Sequence, residues 1–271
     1  MKQFKIFLAS NHFWIFVFSF ISLFTFVEFN NDKLWTNDFK VYYLATIDFF
    51  KGNDPYNNNY GLDTGYFKYP PFTFYLFKVF TLFKYEVAQL IQLLLLTFSL
   101  CLSFLYTKRL ISILKIEFKT GIFYLGFIVV AIHLVREFHM GNINLYLLVL
   151  FLAGLYQNQK KNKNVVLSAL FWGIMLILKP ITILSLILLV FYKEWKTIIW
   201  MSGLGILFFL FPILSKGWEG SIKLWTGWLD SISSHGEYIV SENSLTYLAN
   251  YYFGIQSQWS PSIFFLLILI G

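Results

Sequence analysis

The chain has 271 residues, of which 58% are hydrophobic and 22% aromatic, while only 13% are charged, and its mean hydropathy is +0.63. A soluble domain uses about 25% charged residues to cover its surface, so this composition excludes an ordinary soluble fold and indicates a multipass membrane protein. The formal net charge of +7 sits in short lysine clusters between apolar segments, which excludes a nucleic-acid-binding face and fits basic residues retained in the cytoplasm.

The lone cysteine, Cys101, lies in an apolar run, so neither an intrachain disulfide nor a redox or zinc motif can be built. The four histidines are scattered without metal-ligand spacing, and no phosphate-binding glycine loop, nucleophile elbow or internal repeat is present. The expected fold is therefore an all-α integral membrane bundle, one domain over residues 1–271.

In chain order, a short basic start precedes an apolar run at 13–29 with no small-residue cleavage site after it, which predicts an uncleaved first span with a cytoplasmic N-terminus. Between Glu28 and Lys68 the acids outnumber the lysines, so the loop 30–85 is expected on the outer side of the cell (inner) membrane. Within them, a helical pattern starts at Asp38, with Thr36 or Asn37 as its cap, and stops at Lys51-Gly52-Asn53-Asp54-Pro55. Tyr42 lies four residues on from Asp38, on the same helical face. The plain alternative is that Asp38 merely complements the helix dipole, for a few tenths to about 1 kcal/mol. Residues 72–83 are too short for a span and carry Lys78, as an interfacial or re-entrant helix would.

Further spans are expected at 86–106, 121–136, 143–157, 165–178, 180–192 and 197–214, with Lys108, Arg109, Lys160, Lys161, Lys163, Lys193 and Lys196 in cytoplasmic turns. Arg136 and His139 stand at the outer end of one of these spans, where charge is expensive without water or a partner. For Arg136 the alternatives are pairing with Glu137 or snorkelling to the headgroups. Lys179-Pro180 is the natural break in the long apolar stretch 165–192, and it falls on the outer side. An external loop at 215–260 carries Trp218, Trp225 and Trp228, as an interfacial helix would, and a last apolar run at 261–271 is short enough to suggest a chain truncated at its C-terminus.

A carboxylate, an Arg/His/Asn corner and a lysine at a helix break on one side of the membrane suit glycosyl transfer from a lipid-phosphate donor. A glycosidase needs two carboxyl groups because its leaving alkoxide must be protonated. A phosphate leaves as a stable anion, so one general base and nearby cations suffice. Arg136 and Lys179 are the candidate cations. Asp48 and Asp54 are alternative bases. Asp48 is positioned almost on the face of Asp38 to orient the acceptor, and Asp54 sits in a turn where aspartate usually bonds its own backbone. No metal cage is evident and no cofactor is expected.

Several of these segments match a known pattern in order: Asp38-Phe39 with Tyr42-Tyr43, Gly52-Asn53-Asp54-Pro55-Tyr56, Phe67-Lys68-Tyr69-Pro70-Pro71-Phe72, Gly141-Asn142-Ile143-Asn144, Leu178-Lys179-Pro180 and Asn243-Ser244-Leu245. Over roughly residues 35–250 the chain resembles the polyprenol-phosphate-mannose-dependent mannosyltransferases of glycosyltransferase family 87, also described as DUF2029, in the GT-C superfamily. It departs at Gly141-Asn142-Ile143-Asn144, where the family has glycine, glutamine and asparagine.

The resemblance implies a GT-C bundle in which Asp38 is the catalytic base of an inverting transfer. It also implies a sugar, commonly mannose, on polyprenyl phosphate as donor and a lipid-linked or cell-envelope glycan as acceptor. His139 and Asn142 would join Arg136 and Lys179 at the donor phosphate. Tyr42, Asp48, Asp54, Lys68, Tyr69, Asn144 and Asn243 would bind substrate. The competing reading is a transporter of lipid-linked saccharides, or a non-catalytic membrane subunit, which predicts inverted repeats and polar groups near the midplane.

Overall fold

The computed structural model describes residues 11–31, 34–62, 65–115 and 120–233. Asn243, the segment 261–271 and most of the expected loop 215–260 lie outside the described residues. Nine α-helices and two 3₁₀ turns make up the regular structure among those described, with no strand. They are α1 (Asn11–Asn30), α2 (Asn37–Lys51), α3 (Thr73–Phe77), α4 (Tyr85–Leu114), α5 (Thr120–Met140), α6 (Asn144–Gln159), α7 (Val165–Leu178), α8 (Leu188–Phe191) and α9 (Trp195–Ser233). The 3₁₀ turns are Lys78–Leu82, continuing α3, and Pro180–Leu186, following α7.

Tyr85–Leu114 and Trp195–Ser233 are each long and apolar enough to cross a membrane. Leu125–Met140 and Asn144–Gln159 pass that test together but bend by 119° at the break between them. Large apolar side chains stay exposed along α4 (Leu90, Leu94, Phe98), α5 (Leu125, Ile128, Val129, Ile132) and α9 (Ile199, Ile206, Phe209). Such faces suit lipid contact and are costly in water.

The 39-residue α9 is interrupted at Gly217 (φ 68°, ψ −178°). Phe209 and Trp225 stack at 4.5 Å between ring centroids, whereas a straight helix would hold residues with that spacing about 24 Å apart. The chain therefore doubles back here. Its second limb, carrying Trp218, Trp225 and Trp228, lies over the loop that precedes α3. Trp228 Nε1 donates to the Lys68 carbonyl at 3.0 Å and Ser231 Oγ to the Phe67 carbonyl at 3.0 Å.

Two apolar clusters hold the molecule together. One joins α1, α4 and α5 through Val17, Ile21, Leu93, Leu96, Phe127, Leu134 and Phe138. The other wraps α2 in aromatic rings: Phe49 stacks on Phe74 at 4.5 Å, Phe67 on Phe74 at 4.4 Å and Tyr42 on Phe77 at 4.9 Å. Aromatic pairs of this kind add about 0.5–1.5 kcal/mol each beyond the area they bury. Below it, α6 packs against α4 and α7, and α7 against α9. α2 is thus part of the main core, and its first turn is fixed relative to the long apolar helices.

Candidate active site

Asp38 stands in the first turn of α2, which ends at Gly52 in the left-handed conformation (φ 87°), with the glycine N–H returning to the Asp48 and Phe49 carbonyls. The start of the helix differs from the sequence expectation. Thr36 is itself left-handed (φ 38°, ψ 49°), and its side chain makes no capping hydrogen bond. That backbone turns the hydroxyl toward α4, where it meets Tyr85 Oη at 3.1 Å and accepts from Gln89 Nε2 at 2.9 Å. The Asn37 side-chain oxygen, Oδ1, accepts from the Leu62 amide at 2.9 Å. Both candidate caps are spent on tertiary contacts, and the Thr36 amide bonds the His139 carbonyl at 3.0 Å.

The α5–α6 corner is the second element of the site. Gly141 (φ 66°) makes the turn, and a Cβ there would lie 2.8 Å from Phe39 Cβ and 2.9 Å from Thr36 Cβ. Glycine is required by both the dihedral and the close approach. Gln92, fully buried on α4, donates to the Gly141 carbonyl at 2.8 Å and accepts from Tyr146 Oη at 2.7 Å. Gln89 also donates to the Leu34 carbonyl at 2.9 Å. A pair of amides three residues apart in an apolar helix thus ties the corner and the approach to α2 to the same span.

From that corner the polar side chains converge. Asn142 Nδ2 donates to Asp38 Oδ2 at 2.7 Å, and Asn142 Oδ1 accepts from the Ile143 amide at 2.7 Å, which fixes the amide's orientation. Asn144 Nδ2 donates to Glu137 Oε1 at 2.8 Å and accepts from Lys179 Nζ at 3.0 Å through its carbonyl oxygen. Lys179 is placed by the end of α7 at Leu178, where Pro180 starts the 3₁₀ turn. Glu137 Oε2 is shut off from solvent and has no hydrogen-bond partner among the described residues.

Burial raises the Asp38 carboxyl above its ordinary value and the Glu137 charge pushes it further, against the Asn142 hydrogen bond and the charges of Lys68 and Lys179. Partial burial holds Lys68 below the usual lysine value, with the Asp38 charge working the other way. Tyr42 and Tyr69 share a hydroxyl–hydroxyl hydrogen bond of 2.9 Å. Burial pushes both phenols up, and the charges of Asp38 and Glu137 add to it. Asp38, Glu137, Lys68, Lys179, Asn142, Asn144, Tyr42 and Tyr69 therefore form one electrostatic neighbourhood, which can deprotonate a hydroxyl and receive an anion.

The other residues read from the sequence lie elsewhere. Arg136 is exposed and makes no ion pair among the described residues, Glu137 included; at about 100° per residue the two side chains leave different faces of α5. His139 Nδ1 pairs with Glu28 on α1, and its ring lies 5.7 Å from that of Trp35. Asp48, at the far end of α2, accepts from Tyr60 Oη at 2.8 Å and Asn53 Nδ2 at 3.1 Å. Asp54 accepts from the Tyr56 amide at 3.0 Å and Asn57 Nδ2 at 2.7 Å, closing its own turn. No group of three or more His, Cys, Asp or Glu that could hold a metal ion occurs among the described residues.

Sequence reasoning missed the positions of Glu137, Gln89 and Gln92. Glu137 was considered only as a partner for Arg136. The signal for the glutamines was present: two lone amides inside an otherwise apolar span.

An apolar groove of about 530 Å³ runs between α1 and α4, lined by Ile21, Phe26, Phe29, Leu90, Leu93 and Leu94 among others. Leu34, which also lines it, directly precedes the Trp35-Thr36 approach to α2.

No curated protein and no solved structure matches the chain. The model of glycosyltransferase family 87 matches residues 67–271, well over half of the sequence and including the Lys68–Tyr69 segment, the Glu137–Asn144 corner and Lys179. The chain belongs to glycosyltransferase family 87 and is a membrane glycosyltransferase.

Proposed function

We propose that the protein transfers a hexose, most naturally mannose, from a polyprenyl-phosphate donor to a lipid-linked or cell-envelope glycan acceptor, with inversion at the anomeric carbon. Asp38 is the general base. It takes the proton of the acceptor hydroxyl as that oxygen bonds the anomeric carbon, and the bond from that carbon to the phosphate oxygen breaks with its electron pair on the leaving phosphate. The phosphate needs no acid because it departs as an anion, and Lys179 with Lys68 meets the charge that develops on it. Arg136, exposed and without an ion pair among the described residues, is a further cation for the phosphate as the lipid approaches from the membrane.

The observation that carries the reading is the Asn142–Asp38 hydrogen bond within reach of two lysine charges. A base of raised proton affinity that is still oriented by an amide is better matched to a sugar hydroxyl than an ordinary surface aspartate. The groove between α1 and α4 suits the polyprenyl chain, since its wall is mostly aliphatic and aromatic, with Ser22, Thr25 and Thr97 the polar exceptions, and it ends beside the approach to α2. Lys108 and Arg109 on α4, and Lys160, Lys161 and Lys163 beyond α6, favour a cytoplasmic position for those ends and an extracytoplasmic site in the cell membrane, with the N-terminus inside.

The test is sugar transfer by the full-length chain in membranes, offered polyprenyl-phosphate mannose beside other polyprenyl-phosphate hexoses. Asp38→Asn is expected to lower the rate by at least about 100-fold at unchanged membrane level. Normal turnover by that variant would remove Asp38 from its role.

A further inference from the structure

We propose that Glu137 reads the donor sugar, its Oε2 accepting a hydrogen bond from one hydroxyl of the pyranose that lies between Asp38 and Lys179. The inference rests on the transfer reading above and assigns the specificity of that same site.

In an inverting displacement the acceptor oxygen, the anomeric carbon and the departing phosphate oxygen lie in line. The base marks one end of that line and the phosphate-receiving cation the other, so the sugar ring occupies the space between them. Glu137 is attached to that space from both sides. Its Oε1 is held by Asn144, the same amide takes the Lys179 ammonium, and its charge acts on Asp38.

Its second oxygen is the unusual one. Among the described residues Oε2 is closed to solvent and has no donor, a costly state for a carboxylate oxygen, since each can accept two hydrogen bonds. The neighbouring donors turn elsewhere: Asn142 Nδ2 bonds Asp38, Asn144 Nδ2 bonds Oε1 and Lys179 Nζ bonds Asn144, and none of them reaches Oε2. A sugar hydroxyl supplies the missing donor without bringing a second charge. A site that holds a charged acceptor for one hydroxyl discriminates strongly against a sugar without it, because the acceptor is then left buried and unpaired.

The test uses the full-length chain in membranes, the polyprenyl-phosphate hexose that it turns over best, and the singly deoxygenated forms of that donor. In the wild type, loss of one particular hydroxyl is expected to lower kcat/KM by about 10- to 100-fold. In Glu137→Gln, the Asn144 hydrogen bond pins the new carbonyl in the place of Oε1 and turns an NH₂ toward the sugar. The intact donor is then expected to lose about 10-fold or more, mainly in KM, and removal of the same hydroxyl to cost little more.

A Glu137→Gln enzyme that keeps the wild-type ranking of deoxygenated donors, or loses rate equally with all of them, would overturn the assignment. Should that variant fail to accumulate, the wild-type series decides alone, because indifference to every hydroxyl also overturns it. Asp38→Asn is run beside it. Activity in Asp38→Asn removes the base but leaves the Glu137 assignment standing, and a wild type inert toward every polyprenyl-phosphate hexose overturns both.

Discussion

Asn142 and Asp38, 104 residues apart in sequence, share a 2.7 Å hydrogen bond that joins the α5–α6 corner to the first turn of α2. This bond is the one side-chain hydrogen bond to Asp38 that favours its charged form, and it acts against burial and the Glu137 charge. Asn142→Ala should therefore raise the proton affinity of Asp38 further. A base works only when deprotonated, so the acid limb of the pH–rate profile is expected to move to higher pH, with kcat/KM falling about 10-fold at neutral pH. Transfer rates in membranes across a pH series check both.

The same electrostatics give a stability prediction of opposite sign to the activity. The folded-state value for Asp38 is raised above the ordinary 3.8, so the folded protein holds this proton more tightly than the unfolded chain. The associated stability is fully present below the ordinary value and is lost as pH rises through the raised one. Asp38→Asn, which is neutral throughout, should raise Tm at pH 7 while abolishing transfer. Its advantage should shrink as the pH falls toward about 4. Thermal unfolding of the detergent-solubilised protein at two pH values measures it.

Lys179 faces the site and Arg136 an exposed face of α5. Lys179→Met should lower kcat/KM by about 100-fold or more, through lost charge opposite the phosphate. Lys179→Arg should recover part of that loss. Arg136→Met should cost less than Lys179→Met when the same donor is compared in membrane assays.

Gly141→Ala combines an unfavourable left-handed residue with Cβ contacts of 2.8 and 2.9 Å, so a loss of about 2–4 kcal/mol is expected. Activity should fall with it, since Asn142 is the next residue. Denaturant unfolding gives the first quantity and transfer rates the second.

Gln92→Leu should cost about 2–4 kcal/mol, because it leaves the Gly141 carbonyl and the Tyr146 hydroxyl without their partner. Tyr146→Phe in the same background removes one of those orphans. The double variant should accordingly lose less than the sum of the single ones, a coupling that a double-mutant cycle in unfolding free energy reads directly.

What the sequence displays well is local. Gly52 and Pro55 mark the end of α2, and Pro180 marks the end of α7, because these residues act on their own backbone. Asp54 closing its own turn is of the same kind. The contacts that assemble the site are not local. Thr36 reads as a helix cap, yet its hydroxyl is claimed by Tyr85 and Gln89 from a helix some fifty positions on. Arg136 and Glu137 read as a pair by adjacency, but helical rotation separates them and sends Glu137 to Asn144. Asp48 reads as a companion of Asp38 on one helix, yet it is turned about 80° from it round the axis and lies at the other end of α2, where Tyr60 takes it. Which polar side chains meet is decided by the packing of α4 against α6 and by the corner at Gly141, neither of which leaves a periodic trace.

The limb of α9 beyond Gly217 grips the loop before α3 by its main chain, through the carbonyls of Phe67 and Lys68, and Lys216 Nζ donates to the Phe49 carbonyl at 2.9 Å. A roof riveted at its backbone does not swing open without breaking those bonds. The side chains of Lys68 and Tyr69, by contrast, are left to the neighbourhood of Asp38, whose charge acts on both. For the lipid-borne reactants proposed above, a covering fixed in this way leaves entry from the side, through the bilayer.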